Sequence, residues 1–140
     1  MQQAMKRLSD AERYERMSAI RKTDTKPELR VRRLLYGLGY RYRVNVRKLP
    51  GCPDLVFASR RKIIFVHGCF WHQHKGCKLA RVPKRNQSYW VPKLERNKAR
   101  DRKNQDALEE LGWSCLTVWE CESNSLDGLL PRLKGFLDEM

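Results

Sequence analysis

One segment, residues 67–77, carries a disproportionate share of the reactive side chains in this chain. It contains all three histidines and two of the five cysteines of a 140-residue sequence. Two adjacent aromatic residues, Phe70 and Trp71, lie among them, although large apolar side chains are uncommon together in a surface loop. Metal ligands, a possible general base and two flat rings therefore share one turn-rich segment, which indicates a functional site.

Zinc is the metal that this segment suits, because zinc takes about four nitrogen or sulfur ligands in tetrahedral geometry. Cys69, His74 and Cys77 supply three such ligands from one loop. The fourth has to come from elsewhere, and Cys121, just after a predicted strand, is the best placed. The alternative is that these residues are unrelated buried thiols and loop histidines.

The remaining cysteines and histidines fit a zinc site less well. Cys115 lies within a predicted strand and is more typical of a small core residue, and Cys52 lies between two turn-forming residues. His67 and His72 are left over, and a structural zinc ion has no use for them. These two imidazoles are therefore candidates for a second role in the same segment.

The net charge favours a polyanionic partner. The chain carries 30 lysine and arginine residues against 16 aspartate and glutamate residues, a formal charge of +14. Such an excess is self-repulsive in a compact domain, and nucleic acid would relieve it. A basic protein kept soluble by its charge is the alternative. The sequence has no apolar stretch of membrane-spanning length and no signal-peptide pattern, so we expect a cytoplasmic protein.

Hydrophobic periodicity predicts a single α/β domain over residues 1–140, with the element order ααβββαβα. Capping-box patterns open the first two helices, a basic helix over 9–20 and an amphipathic helix over 25–38. The later predicted elements are strands over 40–46, 54–58, 62–66 and 113–119, and helices over 89–111 and 126–137. This order predicts a mixed central sheet flanked by helices.

Asp54 is a candidate metal ligand. It begins a predicted strand directly after Pro53, which holds its carboxylate at the mouth of the sheet. A carboxylate there can bind Mg²⁺, which prefers oxygen ligands, although backbone capping is the usual role of a turn aspartate. The next strand leads directly to His67, and this neighbourhood favours the functional interpretation.

Three further polar residues stand at positions that local structure explains only in part. Asn97 and Asp101 share the apolar face of the long predicted helix, where polar side chains are costly unless they are paired or functional. Glu28 precedes the apolar stripe of the second helix, and the capping box explains it at least as well as a site does. None of the three would indicate a site alone.

Three motifs make the chain resemble the very short patch repair (Vsr) DNA mismatch endonucleases: PGCPD at 50–54, FVHGCFWH at 65–72 and WEC at 119–121. The resemblance runs from about residue 17 to residue 137, and the second motif is highly specific. It implies a variant of the PD-(D/E)xK nuclease fold with a structural zinc ion. The implied activity is nicking of DNA on the 5′ side of the thymine in a T·G mismatch left by deamination of 5-methylcytosine, which starts very short patch repair.

The resemblance also implies roles for particular residues in catalysis. It implies two catalytic Mg²⁺ ions, bound by Asp54 and by the main-chain carbonyl of Val66, and it makes His72 the general base. A histidine base is a plausible substitute for the lysine of this nuclease fold, since residues 63–66 carry neither that lysine nor its partner glutamate. The auxiliary polar positions around the ions match His67, Glu28 and Asp101.

Other implied roles concern zinc and DNA. The structural zinc ligands match Cys69, His74, Cys77 and Cys121. The aromatic residues that wedge into the duplex beside the mismatch match Phe70, Trp71 and Trp90. Met17 falls on the basic N-terminal helix, within residues 1–22, which approaches the minor groove, and Asn97 is expected on a helix that faces the DNA. Cys52 stands where relatives often carry a basic residue, so we expect a phosphate contact to be absent there.

The implied partner is double-stranded DNA that contains a T·G mismatch, with a functional link to a cytosine-5 DNA methyltransferase. We expect a monomer, because the lesion lacks two-fold symmetry, acting at the bacterial nucleoid. Two other functions stay open. A basic zinc module that binds mismatched DNA without cutting needs neither Asp54 nor His72, and a related nuclease for other DNA structures does not need the Phe70 and Trp71 pair.

Overall fold

In a computed structural model of the protein, residues 24–139 are described, and they form helices on both faces of a four-stranded sheet. The helices are α1 (Lys26–Gly37), α2 (Gln87–Glu110) and α3 (Leu126–Asp138). The strands are β1 (Arg43–Val44), β2 (Leu55–Phe57), β3 (Lys62–His67) and β4 (Ser114–Trp119). The predicted basic helix over 9–20, with Met17, lies outside the described residues.

The sheet is mixed, as the order of the elements predicts. The strands lie in the order β1-β2-β3-β4, with β1, β2 and β3 antiparallel and β3 parallel to β4. Parallel neighbours need a long crossover, and α2 lies within this one. At the carboxyl end of β3, His67 pairs in register with Trp119 of β4. The segment 67–77 therefore leaves the sheet beside the chain that leads to Cys121.

The core lies on both faces of the sheet, because successive side chains of a strand point to opposite sides. On one face, Leu55, Phe57 and Ile64 pack with apolar residues of α1 and α3. On the other face, Val56, Ile63, Phe65 and Leu108 of α2 form a second cluster. Because helices cover both faces of the sheet, the side chains of β2 and β3 are buried on both sides, which explains the continuous apolar runs of these strands. Within the described residues, no helix is both long enough and apolar enough to cross a membrane.

The helix boundaries follow the local sequence signals, whereas one strand does not. Thr25 caps α1 by accepting a hydrogen bond from the Glu28 N–H at 3.4 Å, and the chain leaves the helix at Gly39, whose φ is +98°. The predicted strand over 40–46 is reduced to the two residues of β1. Asn45 has a φ of 46°, which extended strands do not adopt, so the chain turns there toward the site.

Candidate active site and metal cluster

A cavity of about 810 Å³ opens at the carboxyl end of β3, between the loop that follows β1 and the middle of α2. Its wall brings together two carboxylates and two imidazoles that are distant in the sequence: Asp54, His67, His72 and Asp101. Its size is in the range of pockets that hold small ligands or reacting groups. The structure thus gathers four of the five acid–base candidates around one space, and the fifth, Glu28, lies beside Asp54.

Backbone from β3 holds the carboxylate of Asp54 in place. Its Oδ2 accepts a hydrogen bond from the Val66 N–H at 2.6 Å. Burial, and to a lesser degree the neighbouring Glu28 carboxyl, raises the pKa of Asp54 to about 8, although the Val66 hydrogen bond acts in the opposite direction. Two carboxyls in a poorly hydrated place favour a shared proton or a bound cation. This pair therefore fits a divalent ion.

Glu28 supports Asp54 from the first turn of α1 and is almost fully buried, with 1% of its surface exposed. Its carboxylate pairs with the guanidinium of Arg32 one turn later. It also accepts a hydrogen bond from the Asp24 N–H at 3.3 Å. The side chain therefore makes a capping contact, displaced one residue from Thr25, and also adjoins the candidate metal ligand.

His72 and Asp101 are paired across 29 residues of sequence. His72 Nδ1 lies 2.6 Å from Asp101 Oδ2. Since a carboxylate only accepts hydrogen bonds, Nδ1–H donates, and in the neutral form of the ring the free lone pair is then on Nε2. This is the tautomer that can take a proton from water. The contact also explains why an aspartate lies on the apolar side of α2, because its charge is paired there.

His67 lies flat against His72, with ring centroids 3.8 Å apart and ring planes 8° from parallel. Burial, followed by the nearby His72, lowers the pKa of His67 to about 3, so its ring is neutral near pH 7. Among the described residues, its buried Nδ1 has no hydrogen-bond partner. An unsatisfied buried nitrogen in such a cavity is a group that a bound ion or substrate can satisfy.

A second cluster of ligands lies at the loop itself and consists of Cys69, His74, Cys77 and Cys121, whose ligand atoms all lie within 4.8 Å of one another. Nδ1 of His74 is 3.7 Å from the Cys69 sulfur and 3.4 Å from the Cys121 sulfur. Tetrahedral zinc with ordinary bond lengths separates its sulfur and nitrogen ligands by about 3.5 Å. The donor set and its spacing therefore fit zinc.

Contacts around the cluster hold its ligands in place. The His74 ring stacks on Trp119, with centroids 4.3 Å apart, and the Cys121 N–H points at the Cys69 sulfur at 3.4 Å. Burial raises the pKa of the metal-free Cys69 thiol to about 12, so an ion must displace a proton to bind there. The structure leaves Cys115 outside this cluster, within β4, as the sequence predicts.

The aromatic residues of the loop pack against the start of α2. Phe70, Trp71 and Trp90 contact one another with ring centroids 5.1 to 5.9 Å apart. Phe70 and Trp71 are half-buried, whereas Trp90 is 0% exposed. The expectation that Trp90 itself wedges into DNA stays a prediction. In this conformation its indole lies within the protein and supports the other two rings.

Asn97 ties this aromatic cluster to the middle of α2. Its side-chain amide donates a hydrogen bond to the carbonyl of Trp71 at 3.0 Å. That contact accounts for a polar residue on the apolar side of the helix, because the amide satisfies a loop carbonyl. The expectation that Asn97 faces DNA stays a prediction.

Several other residues in the cavity wall cannot be recognised from sequence patterns. Asn45, Arg47, Arg100 and Asn104 all line the cavity, yet in the sequence each is typical of an ordinary surface position. Helical spacing is the sequence pattern that indicates one of them, Asn104. Asn104 is three residues after Asp101, and residues three apart on a helix share a face.

Comparison with known proteins identifies a family. The family model described as DNA mismatch endonuclease Vsr matches residues 5–79. The type II nicking enzyme V.XorIIP of Xanthomonas oryzae pv. oryzae is 48% identical over 94% of this chain and 96% of that protein. The DNA mismatch endonuclease Vsr of Escherichia coli K12 is 46% identical over 91% of this chain and 84% of that protein. The type II nicking enzyme V.NmeAIP of Neisseria meningitidis is 42% identical over 89% of this chain and 88% of that protein.

Proposed function

Because the chain belongs to the Vsr family of DNA mismatch endonucleases, we propose that it nicks duplex DNA on the 5′ side of the thymine in a T·G mismatch. The observation that carries this proposal is a single cavity that contains Asp54 and the His72–Asp101 pair. A module that only binds DNA needs neither a carboxylate held by the backbone of β3 nor an oriented imidazole. The fold proposed for this site is a variant of the PD-(D/E)xK nuclease fold.

The metal ligands proposed are the carboxylate of Asp54 and the main-chain carbonyl of Val66, for two Mg²⁺ ions. The carboxyl pair formed with Glu28 supports a divalent cation there, because burial and the neighbouring carboxyl raise the pKa of Asp54 by disfavouring its charge. Two divalent ions, when bound, would stabilise the attacking and leaving oxygens of phosphodiester hydrolysis. Asp54 contributes by fixing their position against β3 through its hydrogen bond with Val66.

The general base proposed is His72. Asp101 holds Nδ1–H, so Nε2 is the atom that receives a proton from the attacking water. The stacked, neutral ring of His67 fixes the plane of the base without adding a charge that would repel the proton. General-base groups of this kind contribute about 10²-fold to 10⁴-fold to a rate.

The loop is proposed to join lesion recognition to cleavage. A zinc ion bound by Cys69, His74, Cys77 and Cys121 would fix the loop that presents Phe70 and Trp71. Unstacking a base step costs a few kcal/mol, and less at a mismatch, so rings inserted there favour damaged over intact DNA. Trp90 supports these rings from within the protein.

The proposed biological role follows from the substrate. Deamination of 5-methylcytosine leaves a T·G mismatch, so the enzyme would act beside a cytosine-5 DNA methyltransferase and start very short patch repair. A T·G mismatch has no two-fold symmetry, which supports a monomer. The formal charge of +14 supports a DNA partner, because such a charge favours phosphate binding.

A nicking assay tests this function directly. Duplexes that carry one T·G mismatch in varied flanking sequences are incubated with the protein and Mg²⁺, with T·A and C·G duplexes as controls. We expect a single nick on the 5′ side of the thymine and intact controls. Binding without any nick would favour the DNA-binding module, and equal cutting of the matched controls would favour a nuclease with a different substrate.

A further inference from the structure

Two arginines line the cavity from different elements and have no part in the chemistry proposed above. Arg47 belongs to the loop after β1, and Arg100 belongs to α2. Both residues are exposed at the surface. They line the same cavity as the carboxylates and imidazoles of the site.

Arg47 lines the cavity from a turn of the loop, which the Leu49 N–H closes by donating to the Val46 carbonyl at 3.3 Å. Asn45, Arg47 and Leu49 line the cavity, whereas Lys48 does not. The loop is tied to the strand that carries Asp54, since the Asn45 N–H donates to the Asp54 carbonyl at 3.1 Å. The position of Arg47 is therefore coupled to that of the candidate metal ligand.

Arg100 occupies the facing wall. It directly precedes Asp101 on α2 and lines the cavity, whereas the exposed Arg102 does not. The two walls meet at Gly51 and Asn104: a Cβ atom added at Gly51 would lie 3.0 Å from the Asn104 Cβ. This close approach holds the loop against the helix, so the two arginines lie on adjoining walls of one cavity.

Within residues 24–139, neither guanidinium has an ion pair or a hydrogen-bond partner. Other arginines of the protein are paired, as Arg32 is with Glu28 and Arg132 is with Glu122. The carboxylate of Asp101 is already engaged by His72. Two cations that line one cavity and have no anionic partner attract an anion to that cavity.

We propose that Arg47 and Arg100 bind the phosphates of the cleaved strand at and next to the nicked bond, and so position that bond in the cavity. This inference rests on the proposed function. A guanidinium suits the role because its planar fork of N–H donors matches two phosphate oxygens at once. Arg47 also provides a basic group on the same loop as Cys52, which lines the cavity without a charge.

The first experiment compares Arg47→Ala with Lys48→Ala, and Arg100→Ala with Arg102→Ala. Each pair removes the same charge from neighbouring exposed positions, and one member of each pair lines the cavity. Hydrogen bonds to charged groups predict a loss of about 10-fold to 100-fold in the single-turnover nicking rate for the cavity variants. The control variants should stay within about 3-fold, since Lys48 and Arg102 do not line the cavity and contribute only a screened, long-range attraction. Equal losses within each pair would overturn the proposal.

A second experiment locates the contact. One phosphate of the cleaved strand at a time is replaced by an uncharged methylphosphonate, starting at the bond next to the nick. If Arg100 binds that phosphate, Arg100→Ala and the methylphosphonate should together slow nicking no more than the larger single change. Multiplicative losses at every position tested for both arginines would refute the contact.

A binding measurement separates this inference from the proposed function. Affinity for the T·G duplex is measured without Mg²⁺ at several salt concentrations. The slope of log affinity against log salt should fall by about 1 for each cavity arginine removed, whether or not the wild type nicks the duplex. Absence of nicking by the wild type would refute the proposed function, whereas slopes equal to those of Lys48→Ala and Arg102→Ala would refute the phosphate contacts.

Discussion

Replacing Asp54 with asparagine should stabilise the protein in the absence of Mg²⁺ and abolish nicking. The carboxylate is half-buried beside Glu28, and its pKa is raised to about 8 from an ordinary 3.8. The folded state therefore keeps a proton that the unfolded chain releases. The wild type should lose stability as the pH rises from about 4 to about 8, and the asparagine variant should not.

The size of this effect follows from the pKa shift. Each unit corresponds to about 1.4 kcal/mol, so a shift of about four units gives an upper limit of about 5 kcal/mol at pH 8. Asparagine recovers only part of it, because its amide is also partly desolvated and accepts a weaker hydrogen bond from the Val66 N–H than a carboxylate does. We expect a net gain of about 2–3 kcal/mol at pH 8.

Urea unfolding at pH 5, 6.5 and 8 measures this gain. The buffers contain no Mg²⁺ and no chelator, so that any zinc stays bound. The exposed Asp106→Asn is the matched control and should change stability by less than about 0.5 kcal/mol. Added Mg²⁺ should stabilise the wild type and leave Asp54→Asn unchanged. A difference between variant and wild type that does not grow with pH would refute the reasoning, as would equal stabilisation of both proteins by Mg²⁺.

Three further changes test other parts of the site. Asp101→Asn weakens the contact that orients His72 and should slow single-turnover nicking about 10-fold to 100-fold without changing duplex affinity in a binding titration. Cys121→Ser should reduce the zinc content measured by mass spectrometry and lower the melting temperature by at least about 10 °C; full zinc content would contradict its role. Gly51→Ala should cost about 1–3 kcal/mol in urea unfolding, because its φ is +77° and its Cβ would press on Asn104; unchanged stability would contradict that account.

The predicted helices and strands agree with the structure where a short-range contact or a preferred φ value sets the conformation of the backbone. The Thr25 cap, the apolar run of β3 and the glycine at position 112 each specify a boundary through a short-range contact or a preferred φ. The strand predicted over 40–46 was too long. The left-handed conformation of Asn45 ends the alternation there, and it depends on how the loop packs around the cavity.

Three of the candidate zinc ligands could be predicted from the sequence, because Cys69, His74 and Cys77 are near one another in the chain and one turn brings them together. Cys121 joins them because β3 and β4 are parallel and pair His67 with Trp119, a register that no local pattern specifies. The contact of 2.6 Å between His72 and Asp101 likewise depends on the tertiary structure, because it requires α2 to cross the sheet at the right place.

By itself, the sequence determined the α/β class, the acid–base candidates and the family motifs, because these depend on residue type, short spacing and periodicity. Only the tertiary structure decided that Trp90 is buried and that Arg47 and Arg100 border the cavity. The exposure of a side chain depends on what packs over it, and the loop and helix that form these walls are separated by tens of residues. Sequence patterns therefore identify the reactive residues, and the packing of the folded chain determines which of them a substrate can reach.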